Sequence, residues 1–187
     1  MELFTERGYG KTTVEDIATR AGLTERTFFR YFTDKREVLF AGSQQFQKLI
    51  VNAVREAPKT TSALDAVVGA WARASDFFEE RRAFARRRSA LLAAHPELQE
   101  RELMKLTALA AAVTDVLKER GATGAAASLA TEAGLAVAKV GFEQWTRDPK
   151  DRSLAFHLEA ARRQLEAVVG AGRTKAPVVR RPARRSK

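Results

Sequence analysis

The fold is decided by residues 13–32, which read TVEDIATRAGLTERTFFRYF. Apolar residues such as Val14 and Ile17 recur here at the three-residue and four-residue spacing that places side chains on one face of a helix. Thr13, followed three residues later by Asp16, is typical of a capping box at the start of a helix. The pattern predicts a short amphipathic helix that begins at Val14.

A second short helix is predicted directly after the first. Gly22 ends the first helix, because the residue after a helix often adopts a left-handed conformation that glycine accepts without strain. Thr24 then caps a helix from about Glu25 to Tyr31, and Leu23 and Phe28 are expected to pack under the corner. Two amphipathic helices joined by so tight a corner form a helix-turn-helix. Its second helix is the element that enters the major groove of DNA.

The remaining sequence is also predicted to be helical. Alanine is abundant, and no stretch shows alternating β-branched residues. A long helix is predicted from about Thr33 to Arg55, and its buried side is expected to carry Val38, Leu39, Phe46, Leu49 and Ile50. Further breaks fall at residues 57–59, 121–124 and 147–149. We therefore expect an all-α protein with an N-terminal three-helix domain at 1–55, a helical domain at 56–171 and a basic tail at 172–187.

Composition excludes several classes of function. The chain has no cysteine and only two histidines, which argues against disulfides, thiolate zinc sites and histidine-based metal or catalytic centres. No arrangement of nucleophile and base is visible, so we expect no enzyme activity, no metal and no cofactor. We also expect no membrane span and no signal peptide, and hence a cytoplasmic protein.

The net charge of +10 says little about the folded part of the chain. Seven of the basic residues, and no acidic one, lie between Gly172 and Lys187, so residues 1–171 carry only +3. This tail either adds sequence-independent attraction to phosphates or serves as a solubilising end. A DNA-binding function must therefore be argued from the placement of particular residues.

The N-terminal segment resembles the TetR family of transcriptional regulators over about residues 3–55. The resemblance implies an all-α homodimer that binds a palindromic operator in double-stranded DNA, with a larger domain for dimerisation and for a small-molecule effector. The matching residues are Leu3, Phe4, Gly8, Tyr9, Thr12, Thr13, Val14, Asp16, Ile17, Ala18, Ala21, Gly22, Leu23, Thr24, Thr27, Phe28, Phe29, Arg30, Tyr31, Phe32 and Lys35.

The resemblance also implies roles for individual residues. Thr13, Tyr31 and Lys35 match positions that contact the phosphate backbone, and Arg30 is expected to reach a phosphate. The positions that face base edges are Thr24, Glu25, Arg26 and Thr27. Arg26 is the best candidate for a guanine contact, because its forked donors fit the O6 and N7 acceptors. At Phe29 the family usually has a tyrosine, so one hydroxyl contact is lost.

Five arginines interleaved with a phenylalanine occur between Arg81 and Arg88. Such a cluster is able to bind a phosphate or carboxylate of a ligand. It is equally consistent with a solvated helix face whose arginines pair with Glu79 and Glu80. The sequence leaves these two interpretations open.

The C-terminal half resembles, over three short segments, actinobacterial TetR proteins with an acyl-CoA-like ligand-binding domain. The segments are Arg87–Leu92, His95–Leu98 and Phe142–Trp145. The resemblance implies that arginines meet phosphate groups and that aromatic side chains line an acyl channel. The expected ligand-binding residues are Trp71, Phe78, Phe84, Arg87, Arg88, Phe142 and Trp145.

Residues 125–141 are rich in alanine and glycine, which lets helices approach closely. We expect this segment, including Gly134 and Gly141, to form a four-helix dimer interface with the last helix. The last helix would contribute Leu158, Ala161, Leu165 and Val168. His157 is expected at the surface or in the interface.

The function predicted from these features is a repressor that leaves its operator when an effector binds the C-terminal domain. A hydrophobic or acyl-CoA-like molecule is the expected effector. The alternative is a dimeric DNA-binding protein without gating, in which the second domain only dimerises. An enzyme with an attached DNA-binding module is disfavoured, because no catalytic constellation is present.

Overall fold

The computed structural model describes residues 1–171. These residues form ten α-helices, one 3₁₀ helix and no strand, which confirms the predicted all-α fold. The elements are α1 (Glu2–Glu6), α2 (Val14–Arg20), α3 (Glu25–Tyr31), the 3₁₀ helix (Lys35–Phe40), α4 (Ser43–Arg55), α5 (Ala63–Arg73), α6 (Ser75–Glu79), α7 (Arg82–Ala94), α8 (Pro96–Glu119), α9 (Gly124–Arg147) and α10 (Leu154–Ala171). The predicted tail at 172–187 lies outside the described residues.

The helix-turn-helix is formed by α2 and α3, with the caps that the sequence predicted. The Thr13 hydroxyl accepts a hydrogen bond from the Asp16 backbone N–H at 3.1 Å, and the Asp16 carboxylate accepts one from the Thr13 N–H at 2.9 Å. Gly22 has a φ of +67°, which suits glycine at this corner. The Thr24 hydroxyl accepts from the Thr27 N–H and starts α3. These local bonds fix the angle between the two helices.

The prediction of one long helix from Thr33 to Arg55 was wrong. Asp34 caps the backbone N–H groups of Arg36 and Glu37, and only the 3₁₀ helix follows. Gly42, with a φ of +86°, then redirects the chain before α4 begins. This break turns the apolar side chains of the 3₁₀ helix and of α4 toward different cores.

The turn between α2 and α3 is also less covered than expected. Leu23, which we expected to pack under the corner, is 45% exposed, whereas Phe28 is 2% exposed. Phe32 is half-buried against the Phe28 ring, at 5.2 Å between ring centroids. Phe28 is thus the main apolar anchor of α3. On α4, Leu49 was also expected on the buried face but is exposed.

The larger core lies among α4, α5, α8, α9 and α10. Its fully buried members include Val67 of α5, Val113 of α8, Trp145 of α9 and Leu158 of α10. Helix α4 also adds side chains to this core, among them Ile50, which has no exposed surface. The boundary at residue 55 therefore stays a prediction, because α4 serves the C-terminal core as much as the N-terminal domain.

The small residues of α9 serve packing within the subunit. A Cβ atom at Gly134 would lie 2.4 Å from Cγ1 of Val67 on α5, and one at Gly141 would lie 3.0 Å from Leu158 on α10. Leu158 and Ala161, expected at the dimer interface, are buried in the subunit as well. The assignment of Gly134, Gly141, Leu158 and Ala161 to a dimer interface was therefore wrong, because neighbouring helices of the same chain already cover them.

Helix α9 is the only helix in residues 1–171 that is long and apolar enough, by length and composition, to cross a membrane. Core helices of proteins that do not enter a membrane also meet these criteria of length and composition. One face of α9 carries Val137, Ala138 and Trp145 into the interior, where they pack within the helical domain. We therefore describe α9 as the central helix of this domain.

The turn between α9 and α10 is organised by a buried carboxylate. Asp148, whose side chain is 1% exposed, accepts hydrogen bonds from the Arg152 guanidinium at 2.8 Å and from the Lys150 backbone N–H at 3.0 Å. His157, expected at the surface or in the dimer interface, is instead buried within the subunit, with its Nε2 2.9 Å from the Asp148 carboxylate. The Arg152 side chain, the Lys150 N–H and His157 hold the pKa of Asp148 well below its usual range.

The close approach of α9 to α5 gives a matched pair of alanine variants. Gly134→Ala should destabilise the protein by about 1–3 kcal/mol, because its methyl group would overlap Val67. Gly69→Ala lies on α5 with open space around its Cβ position, so helix propensity should stabilise it by about 0.5–1 kcal/mol. Urea unfolding measures both, and equal effects of the two variants would contradict the packing described.

The Asp148 turn predicts a pH dependence of stability. Because the folded pKa of Asp148 is lowered, its charged form stabilises the fold above the unfolded pKa near 3.8, and this contribution is lost as the pH falls below it. Asp148→Asn should therefore lower Tm clearly at pH 7, and its deficit against the parent protein should shrink as the pH approaches 3. A deficit that is independent of pH would refute this account.

Candidate DNA-binding surface and aromatic core

The recognition helix α3 presents a row of side chains to solvent. Glu25, Arg26 and Arg30 are exposed, and so is Thr24, the capping residue. Phe28 points the opposite way into the core. Within residues 1–171 Arg26 has no hydrogen-bond or ion-pair partner, so its five N–H donors face solvent. The helix is held by its buried face while its polar face stays available.

Three of the predicted DNA-contacting hydroxyls already take part in helix caps. Thr13 is bonded to Asp16, and the Thr24 and Thr27 hydroxyls lie 3.1 Å apart. A hydroxyl has one donor and two acceptor lone pairs, so each of these groups keeps some capacity for a further bond. Their first role in the structure is to hold α2 and α3 in place.

Arg30 and Tyr31 form one unit at the end of α3. A guanidinium N–H of Arg30 donates to the Tyr31 hydroxyl at 3.1 Å, and the guanidinium carbon lies 4.9 Å from the centroid of the Tyr31 ring. Tyr31 is 66% exposed. Phe29, where a tyrosine hydroxyl was expected from the resemblance, is also exposed and presents only carbon to solvent. The pair therefore provides a cation and a hydroxyl on the same exposed edge.

The Lys35 ammonium, which we expected to contact a DNA phosphate, is already hydrogen bonded within the protein. Its ammonium donates to the carbonyl oxygens of Tyr9 at 2.8 Å and of Thr12 at 2.9 Å, and it lies 4.5 Å from the centroid of the Tyr9 ring. These bonds fasten the loop between α1 and α2 to the start of the 3₁₀ helix. A phosphate contact from Lys35 stays a prediction, and the structure gives this side chain a clamping role.

The 3₁₀ helix joins the recognition helix to the C-terminal domain through ion pairs. Glu37 accepts from the Arg101 side chain, and Lys105 lies 3.4 Å from the same carboxylate. Hydrogen bonding to Arg101 is the largest cause of the lowered pKa of Glu37. Arg88 of α7 donates to the Leu39 carbonyl at 3.1 Å and pairs with Glu102 of α8 at 2.6 Å. We call these contacts of the 3₁₀ helix with α7 and α8 the junction.

Apolar side chains from both domains fill the junction. Phe4, Tyr9, Leu39 and Phe40 of the N-terminal domain pack in one cluster with Leu98 of α8, and Leu91 and Leu92 of α7 border it. The rings of Tyr9 and His95 lie 4.8 Å apart, and burial raises the pKa of the Tyr9 hydroxyl. The Arg88 guanidinium lies 5.0 Å from the centroid of the Phe40 ring. A shift of α7 and α8 would therefore move the 3₁₀ helix.

Four of the predicted ligand-binding residues meet in one aromatic cluster. Phe78 lies 5.3 Å from Phe142 between ring centroids, and Phe142 lies 5.3 Å from Trp145. Trp71 is joined to them through Phe46 of α4, which lies 5.2 Å from Trp71 and 5.3 Å from Phe78. Phe46 was missing from the predicted set, although its position in an apolar pattern on α4 was visible. We call these five residues the aromatic cluster.

Phe84, Arg87 and Arg88 do not join the aromatic cluster. Phe84 is 38% exposed and Arg87 is exposed, because α7 buries mainly Ala85. Arg88 belongs to the junction instead. The structure thus separates these three residues from the four that it brings together.

Among the five arginines between Arg81 and Arg88, Arg82 reaches the aromatic cluster. It was absent from the predicted ligand-binding residues. Its side chain is 13% exposed, and its guanidinium carbon lies 4.9 Å from the centroid of the Trp145 ring. It donates to the carbonyl oxygens of Trp145 and Arg152 and lies 3.4 Å from Asp151, which Arg86 also contacts. The partners of these arginines are therefore distant in sequence, and Glu79 instead accepts from the Leu154 backbone N–H.

Two cavities of the described chain lie away from the aromatic cluster. One, of about 290 Å³, lies between α1 and α2 and includes Phe4 and Ile17. The other, of about 670 Å³, is an open groove beside the α9–α10 turn that includes Val140 and Phe156. Residues 1–171 contain no group of three or more acidic or histidine side chains that could hold a metal ion.

Comparison with known proteins gives two family matches along the chain. The family of bacterial regulatory proteins called tetR matches residues 1–41, and the MftR C-terminal domain matches residues 61–170. The second match alone covers more than half of the chain.

Two curated relatives are similar over the N-terminal part. The HTH-type transcriptional regulator TcmR of Streptomyces glaucescens is 37% identical over 71 residues, which are 38% of this chain and 31% of TcmR. The HTH-type transcriptional activator FasR of Mycolicibacterium smegmatis is 34% identical over 61 residues, which are 33% of this chain and 28% of FasR. The matched segments thus span less than a third of these relatives.

A solved structure shares the helical fold. FadR of Thermus thermophilus, a TetR-family transcriptional repressor crystallised in complex with lauroyl-CoA, covers 98% of this chain and 95% of its own, with a TM-score of 0.50 and 23% sequence identity. The relatives are regulators of transcription and not enzymes. With a helix-turn-helix whose recognition helix is exposed, a helical second domain and both family matches, this chain belongs to the TetR family of DNA-binding transcriptional regulators.

Proposed function

We propose that this protein is a dimeric repressor that binds a palindromic operator and is released from it by a small hydrophobic effector. The observation that carries this proposal is the junction, where the 3₁₀ helix that follows the recognition helix is bonded to α7 and α8 of the second domain. A conformational change in the second domain is thereby able to reach α3.

On the DNA side, Arg26 is the residue that we assign to base recognition. It is exposed on the first turn of α3 and has no partner within residues 1–171, so its guanidinium is free to bind the O6 and N7 atoms of a guanine. Thr24, Glu25 and Thr27 flank it and complete the surface that faces the bases. Arg30 and Tyr31 are assigned to the phosphate backbone, together with Thr13.

We assign the dimer interface to the outer faces of α9 and α10. On α9, Leu129 is 72% exposed and Val140 lies on the same side of the helix. On α10, Phe156 and Val168 are exposed as well. Large exposed apolar side chains on two neighbouring helices are typical of a surface that another copy covers. A two-fold dimer would present two α3 helices to successive major grooves, about 34 Å apart.

The effector site is proposed at the aromatic cluster. Aromatic side chains are the usual lining of sites for apolar ligands. Because the fold neighbour FadR was crystallised with lauroyl-CoA, this molecule is the first probe to test. FasR is named as an activator, so the sign of regulation must be measured together with operator release.

A protein without gating is the second candidate. The rings of the aromatic cluster contact one another directly, and the two cavities described above do not include them. This packing favours a second domain whose only role is dimerisation. Binding of an effector would require the rings to separate, whereas a non-gated protein keeps them packed under all conditions.

Arg26 and Lys35 should have separable roles in DNA binding. Arg26→Ala should leave Tm unchanged and should lower the preference for the correct base at one operator position by about 1–3 kcal/mol. Lys35→Ala should weaken binding to all sequences alike, and it should also lower Tm because the carbonyls of Tyr9 and Thr12 lose their donor. Selection of binding sequences from a random DNA pool, with thermal unfolding in parallel, measures both effects.

An unchanged sequence preference in Arg26→Ala would show that α3 is not the reading element. An unchanged Tm in Lys35→Ala would remove the clamping role and leave the phosphate contact as the explanation for weaker binding.

The coupling between effector and operator should depend on the junction. Lauroyl-CoA should raise the Kd of the parent protein for its operator, as measured by fluorescence anisotropy. In Glu37→Gln, the ion pairs with Arg101 and Lys105 are lost, so lauroyl-CoA should bind with the same Kd but release operator less effectively. Asp115→Asn, an exposed carboxylate paired only with Lys118, is the control that should leave coupling intact.

Full release by the effector in Glu37→Gln would exclude the junction as the coupling element. If neither lauroyl-CoA nor other hydrophobic ligands shift Tm or operator affinity, the non-gated alternative is the correct one.

A further inference from the structure

Three buried N–H donors around the aromatic cluster have no acceptor within residues 1–171. They are Nε1 of Trp71, Nε1 of Trp145 and Nε of Arg82. Trp145 has no exposed surface, and Trp71 is 8% exposed. Buried polar groups in proteins are paired in the great majority of cases, so three exceptions in one region require an explanation.

Two of these donors belong to side chains in direct contact. The guanidinium carbon of Arg82 lies 4.9 Å from the centroid of the Trp145 ring. The two terminal nitrogens of Arg82 are already engaged, by the carbonyl oxygens of Trp145 and Arg152 and by Asp151. Only Nε of Arg82 is left without an acceptor within residues 1–171, on the guanidinium that lies over the Trp145 ring.

We propose that Arg82 and Trp145 form the polar end of the effector site and bind one uncharged acceptor oxygen of the ligand. A carbonyl oxygen has two lone pairs, so a single oxygen is able to accept from both N–H groups. This inference rests on the proposed effector site, and it adds which atoms recognise the ligand and what chemistry they select.

The charges around Arg82 select a neutral group over an anion. Asp151 already lies within 4 Å of both Arg82 and Arg86, and the remaining bonds of Arg82 go to backbone carbonyls. A ligand carboxylate or phosphate at this depth would lose its hydration and would share the Arg82 guanidinium with the Asp151 carboxylate, whereas a neutral carbonyl oxygen costs less to desolvate. The acceptor that fits is the carbonyl of a ketone, an ester or a thioester.

The side from which the ligand enters is indicated by α6. This five-residue helix carries Phe77, which is 44% exposed, and Phe78, which lies inside the aromatic cluster. The Arg81 guanidinium covers the outer Phe77 ring, 4.3 Å from its centroid. The Phe77 ring thus connects solvent to the Phe78 ring, which lies 6.4 Å from the Trp145 ring between centroids.

The two tryptophans make the inference directly observable. The chain has only Trp71 and Trp145, so a ¹⁵N spectrum of the full protein contains two indole N–H signals. Titration with lauroyl-CoA should move the Trp145 signal downfield, as expected for a donor that gains an acceptor. The matched probe is S-dodecyl-CoA, in which a methylene replaces the thioester carbonyl. It should bind about five- to tenfold more weakly and should leave the Trp145 proton without the downfield shift.

A second matched pair tests a ligand without coenzyme A. 2-Acetylnaphthalene carries the carbonyl, and 2-isopropenylnaphthalene has nearly the same shape with a methylene group in place of the oxygen. The ketone should bind more tightly by a similar factor, and 2-naphthoate should bind more weakly than the ketone. Tighter binding of the carboxylate would overturn the choice of a neutral group.

Variants separate the two indole groups. Trp145→Phe keeps an aromatic ring but removes the N–H, so it should lose most of the preference for lauroyl-CoA over S-dodecyl-CoA. Trp71→Phe removes the other indole N–H of the cluster; it should change the affinity for both CoA probes together and leave the ratio of the two affinities as in the parent protein. The spectrum of the parent protein decides the question even where a variant folds poorly.

The outcomes separate this inference from the proposed function. If lauroyl-CoA releases operator but both CoA probes bind equally and the Trp145 signal does not respond to the carbonyl, the inference is wrong and the gated regulator stands. If none of the probes binds or shifts Tm, both the effector site and its recognition by Arg82 and Trp145 are overturned.

Discussion

The attachment of the 3₁₀ helix to α7 and α8 is the constraint on which the rest of the structure depends. This helix begins four residues after α3 ends, and its residues carry three kinds of bond. Lys35 fastens the α1–α2 loop, Glu37 pairs with Arg101 and Lys105, and the Leu39 carbonyl accepts from Arg88. Phe40 is buried beneath them. Because charged and apolar contacts act on one short segment, the recognition helix is held in a fixed relation to the second domain.

The helix-turn-helix could be predicted from the sequence because its determinants are local. Thr13, Gly22 and Thr24 act on neighbours within a few residues, and the structure has the caps and the corner where the sequence placed them. The continuous helix across Gly42 was wrong for a related reason, since one left-handed glycine outweighed a pattern that otherwise favoured helix. The family match and the fold were thus within reach of the sequence alone.

The second domain was harder to predict because its determinants are far apart in the chain. Gly134 looked like a residue of a dimer interface, yet it faces Val67, which is 67 residues earlier. Among five similar arginines, only contacts with Trp145 and Asp151 distinguish Arg82, and no local pattern contains them. Trp71, Phe78, Phe142 and Trp145 were found as a set because large aromatic side chains converge in helical cores. Arg82, the polar residue next to Trp145, could not be predicted in the same way.

The most direct test of the account is a distance measurement between the two DNA-binding domains of the dimer. The chain lacks cysteine, so Thr19→Cys, at an exposed position on α2, allows one spin label per subunit. Pulsed electron–electron double resonance should give one narrow distribution of distances between the two labels while operator is bound. When lauroyl-CoA releases the operator, this distribution should shift, because the second domain moves α3 through the junction. Release of operator with an unchanged distance distribution would contradict the account.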